Sequence, residues 1–202
     1  MRKLDPSEAR PPSRLQDTAD GYGWISIGLH WGAAVAVVVL LVAGSQIHAG
    51  QGDYGVRRDL HTAIAVCAYL LLWARVLWRF AKGHPGPLPK QGRLSFAAAK
   101  PVHWLMVIAL AAMLVSGPLM AWSAGLPIHV FALAIPGPYP ASEALWRLTH
   151  AVHVIGASII AASLALHVAA VAANAAIKRD GGFDKIMIAA KPAPTVETGK
   201  DG

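Results

Sequence analysis

The stretch LTHAVHVIGASIIAASLALHVAAVAANAAI, residues 148–177, decides the fold. It contains no charged residue. A bilayer core about 30 Å thick needs about 20 apolar residues in a helix, so this run is long enough to cross one. Ionisable side chains inside a membrane are costly and mark function, and His150, His153 and His167 stand in this run. His153 and His167 are fourteen residues apart. At 3.6 residues per turn they face nearly the same side, and at 1.5 Å rise they lie about 21 Å apart along the axis. That separation is far too long for two ligands of one metal, but it suits two stacked porphyrins at different membrane depths. His150 falls about 100° from the face of His167 on an ideal helix, so His153 is the better candidate. The alternative for any lone intramembrane histidine is a helix-to-helix hydrogen bond.

Outward from this stretch, three further apolar runs reach spanning length, at 24–47, 60–80 and 101–122. The whole chain is 55% hydrophobic and only 14% charged, against about 25% charged in soluble domains. The expected fold is therefore an all-α membrane protein, a bundle of four transmembrane helices over 24–177. Polar cytoplasmic tails flank it at 1–23 and 178–202, and 1–20 and 185–202 read as disordered. The loop 123–146 holds Pro127, Pro136, Pro138 and Pro140 and reads as irregular, with a short interfacial helix around 129–134. A cleaved signal peptide is the competing reading of 24–47, but signal cores run only about 7–15 residues.

The net charge of +7 is a topology signal before it is a nucleic-acid signal, because the basic residues cluster by loop. Arg2, Lys3, Arg10 and Arg14 precede the first span. Arg75, Arg79, Lys82, Lys90, Arg93 and Lys100 surround the second loop, and Lys178, Arg179, Lys185, Lys191 and Lys200 follow the last span. Only Arg57, Arg58 and Arg147 fall on the other side. By the positive-inside rule both termini are cytoplasmic and the chain is a multi-pass protein of a bacterial inner (plasma) membrane. No nucleic-acid partner is expected.

This topology gives each histidine of the fourth span an opposite number at its own depth. His30 lies near the cytoplasmic end of the first span and pairs with His167. His61 opens the second span from the periplasmic side and pairs with His153. Imidazole pairs of this kind are axial ligands for haem iron. Cys67 is the only cysteine, which excludes a C-x-x-C-H attachment, so two haems b would be bound non-covalently. His103 opens the third span with no evident partner; a propionate, a quinone or the interface could each occupy it. His48, His84 and His129 read as solvated. Arg75, Arg79 and Arg147 could meet propionates or a quinone, or be topogenic charges only. Arg75 and Arg79 could snorkel to the headgroups. Gly156, Ala157, Ser158, Ala161, Ala162 and Ser163 allow close packing, of a helix or of a flat macrocycle.

The fragments Ile27-Gly28-Leu29-His30-Trp31, Leu60-His61-Thr62, Pro101-Val102-His103-Trp104, Ser116-Gly117 and Pro140-Ala141-Ser142-Glu143, with His153 and His167, occur in this order across four spans. In this the chain resembles the bacterial cytochrome b561 family, and through it the cytochrome b subunits of nickel-iron hydrogenases. The resemblance covers roughly 24–177. It implies His30 and His167 on a cytoplasmic haem, and His61 and His153 on a periplasmic one. It also implies electron exchange with ubiquinol or ubiquinone, and one family member is linked to superoxide oxidation. The expected function is electron transfer by a di-haem cytochrome, with the lipid bilayer, the quinone pool, a redox partner protein or a second copy as partners. The alternatives are a haem-bearing anchor for a dehydrogenase or hydrogenase and, from another class, a histidine-lined metal transporter.

Overall fold

The computed structural model describes residues 15–17, 21–47, 53–82, 93–174 and 176. Among them run four long helices, α1 (Trp24–Ser45), α2 (Tyr54–Lys82), α3 (Arg93–Ser123) and α4 (Glu143–Ala173). All four are long and apolar enough to cross a membrane. A helix satisfies its backbone internally, which hydrocarbon demands of any spanning segment. α1 packs along α2, α3 packs along α4, and α2 also meets α3. α1 and α3 begin where α2 and α4 finish; we call this the tail end, and the opposite end the hairpin end. Ala33, Leu72, Val76 and Leu114 form the buried core where α1, α2 and α3 meet. Val35, Leu70, Ile108 and Val168 point outward, as side chains facing lipid should.

The helices outrun the spans expected from hydropathy at several ends. α2 starts at Tyr54 instead of 60 because Asp53 caps it, its Oδ1 accepting from the backbone N–H of Gly55 at 2.8 Å. α4 starts at Glu143 instead of 148, where the Ser142 hydroxyl accepts from Leu145 N–H. α3 ends in a Schellman motif: Gly125, at φ 74°, donates to Trp122 and Leu126 donates to Ala121.

Pro118 lies inside α3 and has no N–H, which leaves the Leu114 carbonyl without its usual partner. The Tyr69 hydroxyl of α2 donates to that carbonyl at 3.2 Å. An unpaired carbonyl at this depth costs about 1–3 kcal/mol, so Tyr69 ties α2 to α3 where the proline frees an acceptor.

Three expectations need correction. The 129–134 segment is no helix: Ile128–Val130 (β1) and Leu133–Ile135 (β2) form a two-stranded antiparallel hairpin packed on α2. The β-branched Ile128, Val130 and Ile135 favour strands, and the turn places Phe131 at φ 53°, where turn rules expect glycine or asparagine. Within the first tail, residues 15–17 are not disordered but pack, with 21–23, at the start of α1. Asp17 accepts from Gly23 N–H at 2.8 Å and from Ser26 Oγ at 2.7 Å, and Trp78 Nε1 donates to Ser26 Oγ at 2.6 Å. Finally, Arg79 is covered by protein rather than extended into its surroundings. It is 5% exposed and held near Tyr22 and Asp17. The remaining tail positions, the 83–92 loop, His48 and His84 lie outside the described residues.

Candidate functional site

The bundle brings its histidines together in two sets at opposite ends. At the tail end, His30 of α1 faces His167 of α4, with ring centroids 6.4 Å apart and planes inclined by 66°. At the hairpin end, His61 of α2 faces His153 of α4, again 6.4 Å apart, at 85°. α4 is one unbroken helix, so its two histidines are held about 21 Å apart on one side of a rigid rod. His150 is elsewhere: its ring stacks on Trp146 at 5.1 Å.

Each hairpin-end ring rests against a glycine of a neighbouring helix. A Cβ on Gly44 would lie 3.3 Å from His61 Cε1, and one on Gly117 would lie 3.3 Å from His153 Cε1. The glycines let the backbone approach the imidazoles more closely than alanine would. Gly156, between the two histidine levels of α4, faces Met113 of α3, where a Cβ would meet Sδ at 3.0 Å. Its absent side chain therefore serves helix packing, one of the two readings open from the sequence.

His103, without a partner in the sequence, has one in the fold. Its Nε2 lies 3.3 Å from Nδ1 of His167, with ring centroids 5.1 Å apart. Ser116, 3% exposed, places Oγ 3.2 Å from Nδ1 of His153. Arg75 and Arg79 lie near enough to His30 and His103 to act on them electrostatically. Arg147 is instead exposed and paired with Glu143 at 2.6 Å, one turn away. His129 is not merely solvated, since its Nδ1 lies 3.3 Å from Asp59, which also binds Arg58. The Tyr69, Asp17 and Ser116 contacts escaped the sequence, because each joins different elements or a loop to a helix.

What fold and site define is a class: a four-helix membrane protein with two facing histidine pairs at different levels. Residues 21–187 match the prokaryotic cytochrome b561 family, and the chain belongs to it. It is thus a multi-pass membrane cytochrome of the b type. It is also similar to cytochrome b561 homolog 2 of Escherichia coli (strain K12), with 33% identity over 118 residues. That region covers 57% of this chain and 63% of the relative, so the chain spans under two thirds of the relative's length.

Proposed function

We propose that the chain is a di-haem electron carrier of the inner membrane that exchanges electrons with the ubiquinone pool, both termini being cytoplasmic. His30 and His167 hold one haem b, and His61 and His153 hold the other. The observation that carries this reading is the equal spacing of the two pairs. Two imidazoles bound to one metal from opposite sides, with bonds of about 2 Å, have centroids about 6.4 Å apart. Both pairs have that separation.

Haem held between two such histidine pairs would supply one-electron transfer chemistry. The protein's share is positional. α4 fixes the two sites at separate depths, while α1 and α2 each bring one opposing ligand. Gly44 and Gly117 set how near the backbone comes to the hairpin-end rings. Arg75 and the buried Arg79 offer positive charge beside the tail-end pair, suited to propionate groups. Arg147, exposed and engaged with Glu143, is the weakest of the charged candidates.

Stopped-flow mixing of the purified holoprotein with a short-chain ubiquinol tests the quinone assignment. The expected result is haem reduction by the quinol and reoxidation by the quinone with no other protein present. Exchange that begins only when a dehydrogenase or hydrogenase subunit is added would make the chain an anchor and conduit instead.

A further inference from the structure

The two α4 histidines turn their Nδ1 atoms toward α3, and α3 meets each with a different chemical group. His167 Nδ1 faces Nε2 of His103 at 3.3 Å, and His153 Nδ1 faces Oγ of Ser116 at 3.2 Å. His103 and Ser116 are thirteen residues apart on α3, and His153 and His167 fourteen apart on α4. The chain direction reverses between these packed helices, so α3 offers one acceptor opposite each histidine, in register over almost four turns.

The inference rests on the ligand roles proposed above. A neutral imidazole carries one proton, on one of its two nitrogens. If Nε2 is committed to iron, the proton stays on Nδ1, and Nδ1 must donate to whatever lies beside it. His103 then keeps its own proton on Nδ1 and accepts through Nε2. Ser116 accepts through its hydroxyl oxygen.

We propose that His103 is a positioning residue, the acceptor that fixes the tautomer, orientation and basicity of His167, and that Ser116 is its weaker counterpart for His153. A partner drawing on the Nδ1 proton makes Nε2 the stronger ligand. A stronger donor ligand favours ferric over ferrous iron and so lowers the potential. An imidazole nitrogen is a better base than an alcohol oxygen, so the effect is larger at the tail-end site. Packing at the membrane interface, by contrast, would need only the shape of the ring.

Redox titration of the holoprotein, with the two haems resolved optically and by low-spin EPR, tests the inference. His103→Leu should raise the potential of one haem by on the order of 59 mV, a tenfold shift in its ferric–ferrous ratio, and move its g values. The other haem should not respond. His103→Gln, which keeps a neutral acceptor, should restore most of the wild-type potential. Ser116→Ala should shift the other haem upward by less. If His103→Leu leaves both potentials and both EPR signals unmoved, or shifts both haems equally, the proposal is overturned. Should that variant lose its haem, His103→Gln and His103→Asn are compared. The shorter amide falls short of His167 and must give the higher potential; equal values overturn the proposal. His167→Ala separates the two failures. Retention of both haems in it refutes the ligand assignment itself, whereas loss of one haem there, with unmoved potentials in His103→Leu, refutes only the role of His103.

Discussion

His30→Ala and His167→Ala should each abolish the same haem component in the reduced-minus-oxidised spectrum, while His61→Ala and His153→Ala abolish the other. The expectation follows from geometry, since each pair faces across one 6.4 Å gap at its own end of the bundle. On the proposed ligation, removing either imidazole would leave one ligand where two are needed. Each variant should therefore retain one haem per chain, not a reduced share of both. His150→Ala should spare both components, because that ring stacks on Trp146 and takes no part in either pair. Loss of a haem in His150→Ala, with retention in His153→Ala, would reverse the choice between them.

Gly117→Leu should remove the hairpin-end haem and leave the other in place. The first added carbon would already lie 3.3 Å from His153 Cε1 and 3.6 Å from Nδ1. A leucine has no room to branch there without turning the imidazole away from His61. Gly117→Ala requires a shift of only a few tenths of an ångström, and should weaken retention without abolishing it. Gly44→Leu should have the same effect from the opposite side, through His61. Haem content and the spectrum of the surviving component check this. Unchanged content in both leucine variants would show that neither glycine governs the site.

The sequence revealed those features that depend on depth. Hydropathy counts how far a chain travels through a bilayer, so four spans and the levels of His30, His61, His153 and His167 could be read directly. The 3.6-residue period separated His153 from His150. Helix ends were less legible, because Asp53 and Ser142 extend α2 and α4 beyond the apolar runs that hydropathy detects. The hairpin was obscured by its flanking prolines and by a turn made with Phe131 at positive φ. Most hidden were contacts set by the rotation of one helix against another. His103 shares a level with His167, but depth alone does not tell which side of α3 it occupies. Tyr69 gave no sign that it would meet the carbonyl released by Pro118, forty-five positions away from its own at Leu114. Such pairings become visible only once the helices are packed.

On the proposed ligation, one chain holds two haems, each between two histidines. A pyridine haemochrome assay on detergent-purified protein, set against protein mass, tests it most directly. Haem b content should approach two per chain, all of it released by acid–organic extraction. A content of one per chain from haem-sufficient cells, or haem that resists extraction, would contradict it.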